Sequence, residues 1–186
     1  MKLTFQSKKT YYFISVVVLL ISLVVVPFTQ NIINQKKINS YSAISDFFEK
    51  PLLLNNDTIS LNDFKGKVLV LDFWNSACGS CFKKFPDFEK LTSKYKLNKE
   101  ILFFAVNTPL KREKAKNPQK IMDSLNYNFE NLFLFDDSIA LGLGIKFYPT
   151  VLYIDKTQTK IISGNIETNF WIYNNSYNII DKLSKE

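Results

Sequence analysis

The sequence predicts an α/β domain, with a central mixed β-sheet flanked by helices, preceded by one N-terminal transmembrane helix. Three observations carry that prediction. Val68 to Trp74 is a near-continuous apolar run, as expected of a central strand covered on both faces. Strand-like and helix-like segments then alternate as far as a late antiparallel pair, Val151 to Ile154 with Lys160 to Ser163. Finally, no charged residue occurs from Thr10 to Gln35, and Tyr11 to Val26 is almost wholly apolar. As a helix, that segment with its flanks crosses a hydrocarbon core of about 30 Å.

In chain order, residues 1–9 form a short cytoplasmic N-terminus, 10–30 the transmembrane anchor, 31–46 a polar tether and 47–186 the folded domain. The basic start and apolar stretch also fit a cleaved signal peptide, but Pro27 to Ile32 lacks a small-x-small cleavage pattern, which favours an uncleaved anchor. Neither cysteine lies near the end of the segment, which excludes a lipid-modified cysteine there. Lys2, Lys8 and Lys9 precede the span and Lys36 and Lys37 follow it at a distance, so the N-terminus is expected in the cytoplasm and the domain outside it. The tether is rich in Asn, Ser, Lys and Gln.

Within the domain, Pro51 to Leu54 and Thr58 to Leu61 read as a short hairpin around Asn55-Asn56-Asp57. After the central strand, Cys81, Phe85, Phe88, Leu91 or Thr92, and Tyr95 recur at helical spacing, with Pro86 expected to kink the helix. Ile101 to Val106 is a second buried strand, Lys111 to Lys120 a solvated charged insertion, and Pro118 to Leu125 a helix. Leu132 to Phe135 reads as a short strand or an approach to a turn, Ser138 to Leu143 as a brief helix, and Tyr173 to Lys185 as the closing helix, with Phe170, Trp171, Tyr173 and Tyr177 as core.

The chain has 186 residues, 46% of them hydrophobic, and suits a membrane segment plus one domain of ordinary size. Its formal charge is +7, but residues beyond the first 46 carry 19 basic against 16 acidic side chains, and no arginine-rich stripe is present. That balance leaves no footprint for nucleic acid.

Chemistry centres on the two cysteines of the chain, in Cys78-Gly79-Ser80-Cys81, between the central strand and the helix. A thiol at a helix's first turn faces unpaired N–H groups and the positive end of the helix dipole, which favour thiolate. Cys78 is therefore the expected nucleophile. A bridge between the two closes too short a loop to stabilise the fold by much. With no histidine and no third cysteine, a four-coordinate Cys/His metal site cannot be completed in one molecule. No cofactor is required.

Three segments carry a family resemblance: Ile59 to Lys67 before the central strand; Asp72-Phe73-Trp74-Asn75-Ser76-Ala77-Cys78-Gly79-Ser80-Cys81 with Pro86 five residues on; and Gly144-Ile145-Lys146-Phe147-Tyr148-Pro149-Thr150, leading to Tyr153-Ile154-Asp155. In this order and spacing they resemble the thioredoxin superfamily, and within it the membrane-tethered TlpA/ResA-type thiol-disulfide oxidoreductases, over about residues 47–186. The resemblance implies a thioredoxin-like fold and makes Pro149 a cis-proline beside the dithiol, leaving the backbone of Tyr148 to pair with an incoming peptide. It places Asp72 as a buried carboxylate beneath Cys81, with a raised pKa suited to moving that thiol's proton. Trp74 packs under the active-site loop, and with Gly79, Ser80, Tyr148 and Pro149 it makes up the expected substrate-binding set.

Two departures stand out. Ala77 replaces the family's usual tryptophan before the first cysteine, and Ser80 replaces a frequent proline, adding a hydroxyl and an N–H able to bond the Cys78 thiolate. Stabilising that thiolate moves the couple toward an oxidant. Lys84, where relatives often carry glutamate, reads as a solvated helix lysine, the alternative being that it adds to the shift.

The implied activity is extracytoplasmic reduction of disulfides in cysteine-containing proteins, among them cytochrome c before haem attachment, with a membrane dithiol partner recycling the pair. The rivals are the same exchange run as an oxidase or isomerase, and a non-catalytic thioredoxin-fold assembly module. A peroxidase is the weakest, since nothing near Cys78 supplies an arginine and threonine setting.

Overall fold

The computed structural model describes residue 15 and residues 48–54, 57–109, 117–166 and 175–186. It divides into two compact units, Met1–Asn39 and Ser40–Glu186. Of the first unit only Ser15, in a helix, is described. The anchor expected at 10–30 and the tether at 31–46 thus lie otherwise outside the described residues, among which no helix is long and apolar enough to cross a membrane. Phe170, Trp171 and Tyr173 and most of the charged insertion also lie outside them.

The second unit is built on a seven-stranded sheet: β1 (Leu52–Leu54), β2 (Asp57–Ile59), β3 (Val68–Trp74), β4 (Ile101–Asn107), β5 (Glu130–Phe133), β6 (Thr150–Ile154) and β7 (Ile161–Gly164). Their order across the sheet is β2-β1-β5-β4-β3-β6-β7. Strands β3, β4 and β5 run parallel, while β6 pairs antiparallel with β3, β7 with β6, β1 with β5 and β2 with β1. The sheet is therefore mixed, and all seven residues of β3 are buried.

Alternation along the strands divides the core in two. Val68, Val70 and Trp74 of β3, with Phe103 and Ala105 of β4 and Val151 and Tyr153 of β6, face a cluster built by three helices. These are α1 (Gly79–Tyr95), which contributes Cys81, Phe85, Phe88 and Leu91; α2 (Pro118–Leu125), which contributes Met122; and, beyond a third helix, α4 (Ser176–Lys185), which contributes Ile180 and Leu183. Helix α3 (Ser138–Gly142) lies between β5 and β6 and buries Ile139 and Ala140. Leu69, Leu71 and Phe73 point to the opposite face, where Phe64 packs on Phe104 with ring centroids 5.1 Å apart.

Several boundaries follow from capping. Ser60 and Asp63 exchange side-chain bonds with each other's backbone N–H around the 3-10 turn Leu61–Phe64, so the second strand ends at Ile59 and Leu61 starts the turn instead. Asn117 caps α2, whose first residue is Pro118, and Asn126 closes it in the left-handed region at φ 53°. Asn175 caps α4 at Ser176, later than the expected Tyr173. Helix α1 continues as one element through Pro86, which lies on its exposed side.

Phe85 is the pivot of the core beneath the cysteine loop. It is fully buried, and its ring lies 5.7 Å from those of Trp74 and Phe82, 5.8 Å from Tyr127 and 5.5 Å from Phe129. Phe85→Ala is expected to cost about 3–5 kcal/mol, read as a lowered midpoint in denaturant unfolding.

Candidate active site

The loop from β3 to α1 is set by Asn75. Its side-chain oxygen accepts from the Ala77 N–H at 3.0 Å and its carbonyl from the Cys78 N–H at 3.1 Å, a turn that ends the strand and presents Cys78 as N-cap of α1. Sequence reasoning missed this role, although an asparagine directly after a buried strand is a turn signal.

Cys78 and Cys81 are joined in a disulfide, with Cα atoms 5.3 Å apart. The two sulfurs are not equivalent in access. Cys78 retains 9% exposure and Cys81 none. The Cys81 N–H donates to Cys78 Sγ at 3.1 Å, and the Ser80 hydroxyl lies 3.3 Å from the same sulfur. Both contacts, with the α1 dipole behind them, favour negative charge at Cys78 once the bond is opened. The hydroxyl contact matches expectation. The N–H comes from Cys81 rather than Ser80, because an N-cap side chain bonds the residue two or three positions on.

The Tyr148–Pro149 peptide bond is cis. The Ser80 hydroxyl also reaches the Tyr148 carbonyl oxygen, at 3.4 Å, which places the cis-proline segment against the cysteine loop. Gly79 and Ser80 are exposed and Tyr148 and Pro149 partly so. Trp74 differs from these: it is fully buried, edge-on to Phe82 and Phe85 at 5.9 and 5.7 Å. It supports the loop from beneath and offers a substrate no surface.

Asp72 lies on the same face of β3 as Val70 and Trp74, between Ala105 of β4 and Val151 of β6. It is fully buried, and neither carboxylate oxygen has a hydrogen-bond partner. Burial pushes its pKa up to about 8, against the opposing attraction of the Lys84 ammonium on α1. Lys84 itself is part-exposed, with Asp87 4.0 Å away, so it is solvated as expected while its field still reaches the buried acid.

A Redoxin family model matches residues 39–175. The chain is similar to a glutathione peroxidase of Lactococcus lactis subsp. cremoris, 30% identical over 118 residues, which are 63% of this chain and 73% of that protein. It is also similar to the thiol-disulfide oxidoreductase ResA of Halalkalibacterium halodurans, 27% identical over 103 residues, 55% of this chain and 56% of ResA. The match therefore spans little more than half of ResA's length. Among solved structures, a Bacteroides vulgatus protein assigned as a thiol-disulfide oxidoreductase superposes with a TM-score of 0.59 at 26% identity, covering 72% of this chain and 91% of that one. With the buried-acid strand, the Cys78–Cys81 pair and the cis-proline in one place, the chain belongs to the Redoxin family, as a thioredoxin-like thiol-disulfide oxidoreductase of the TlpA/ResA type.

Proposed function

We propose that the chain reduces disulfides of cysteine-containing proteins on the outer side of a membrane, to which residues 10–30 anchor it, and that a membrane dithiol donor returns its own pair to the reduced state. The observation that carries the reading is the asymmetry of the two cysteines: Cys78, the N-cap of α1, keeps a small exposure, while Cys81 has none. In the reduced protein, Cys78 thiolate forms a bond to one substrate sulfur, the substrate S–S bond breaks, and the second substrate sulfur leaves as thiolate. Cys81 then gives up its proton, with Asp72 as the acceptor, and bonds to Cys78 Sγ as the mixed disulfide breaks. The substrate gains two electrons and leaves as two thiolates, which take up the proton left on Asp72 and one more from water, and the chain is left as the Cys78–Cys81 disulfide.

A redox titration against glutathione tests the direction. A midpoint near that of thioredoxin, about −270 mV, is the expected result; one near about −120 mV assigns the chain to substrate oxidation instead. A reporter fused after Glu186 tests the location, and activity confined to the cytoplasm rejects it. The likeness to a glutathione peroxidase makes peroxide reduction the second reading. Consumption of peroxide by the reduced protein at a rate matching its disulfide exchange favours it.

A further inference from the structure

Phe147 is 80% exposed, two residues before the cis-proline. A ring so placed adds nothing to the core, yet its backbone is fixed: the Thr150 hydroxyl donates to the Phe147 carbonyl oxygen at 2.7 Å. The ring is therefore presented from a defined point. It is also tied to the chemistry. From Cys78 Sγ, 3.3 Å leads to the Ser80 hydroxyl and 3.4 Å more to the carbonyl oxygen of Tyr148, the neighbour of Phe147. Ala77, the residue before Cys78, is exposed but carries a single methyl group.

The rest of the surface supports the same end of the sheet. Among the described residues the exposed large hydrophobic side chains are Leu97, Leu125, Phe135, Leu141 and Phe147. Strands β3, β4 and β5 are parallel and β6 is antiparallel to β3, so the residues after β5 and those before β6 lie at the edge where β3 delivers Cys78. Phe135, two residues after β5, and Phe147, three before β6, fall there, whereas Leu141 lies in α3 between them.

We propose that Phe147 is a specificity-determining residue of the exchange reaction, an apolar anchor for an extended substrate segment that carries an aromatic or aliphatic side chain two or three residues from its reacting cysteine. The inference rests on the exchange reading above. An extended chain advances about 3.3 Å per residue, so two or three residues cover the path from the sulfur past Ser80 and Tyr148 to Phe147. Apolar side chains meeting there remove surface from water on both partners, which favours such a segment over a polar one.

The test uses the full chain and its Phe147→Ser and Phe147→Leu variants with three probes: a disulfide peptide with phenylalanine two residues from its cysteine, the same peptide with serine there, and hydroxyethyl disulfide. Phe147→Ser is expected to lower kcat/KM for the phenylalanine peptide about tenfold, mainly through KM, and to change the other two less than about twofold. Phe147→Leu is expected to recover most of the loss. An equal loss with all three probes, no loss with any, or a dimer of the parent chain that Phe147→Ser dissolves overturns the inference. A parent chain inert toward all three probes removes the exchange reading, and this inference with it.

Discussion

Replacing Cys78 by alanine is expected to abolish insulin reduction, and replacing Cys81 by alanine to leave a protein that reacts once and stops. The difference follows from access and order. Of the pair only Cys78 retains any exposure, so without it no covalent step begins, and the residual rate falls to that of solution thiols. Without Cys81 the first step still runs, and the substrate stays bonded to Cys78 because the sulfur that displaces it is gone. The Cys81→Ala protein is therefore expected to accumulate as a mixed disulfide, seen as a mass increase that dithiothreitol reverses. Purifying these adducts also identifies the natural substrates. Unchanged insulin reduction by Cys78→Ala removes the mechanism.

Asp72→Asn has the second large expected effect, and it separates chemistry from stability. Thiols titrate near pH 8.5, and a carboxyl at about 8 is matched to exchange a proton with one. Loss of such a group slows proton-coupled steps about 10²-fold or more. The resolving step by Cys81 should slow on that scale in Asp72→Asn and lose its inflection near pH 8, while mixed-disulfide formation by Cys78 proceeds nearly as before. Rapid quench of the mixed disulfide at a series of pH values reads both. The linkage to folding has a definite sign. The folded pKa lies above the unfolded value of 3.8, so the folded state holds the proton more tightly. This carboxyl's contribution is fully present below pH 3.8 and is lost as pH climbs from there to about 8. Relative to Asp72→Asn, the parent protein should thus lose stability across that window and run parallel above it. Parallel curves throughout place the carboxyl in water and end its role as a buried acid.

The burial of Asp72 was implied by the family resemblance, and it accords with the apolar run Val68 to Trp74, whose limits the strand reproduces. A strand buried on both faces has no polar side on which to put a carboxylate. The start of α1 was less legible. Gly79 and Ser80 are weak helix formers, so periodicity begins at Cys81, yet Cys78 caps the helix and brings both into its first turn. At the other end of the chain, aromatic residues before Asn175 extended the apparent period past the true cap. The cis-proline was reached through family resemblance alone, and the exposure of Phe147 through neither spacing nor resemblance. Exposure of one ring depends on which strands surround it, and a linear pattern does not encode that.

Ser80 has one proton to give and two acceptors within reach, the Tyr148 carbonyl and the Cys78 sulfur. A guest backbone that takes over the carbonyl by donating its own N–H releases that proton toward the sulfur. Arrival of substrate is then felt at the Cys78 sulfur, whose negative charge is better held once that proton is turned toward it. A side chain only two heavy-atom bonds long thereby couples the substrate's backbone to the charge on the attacking sulfur before any bond has changed.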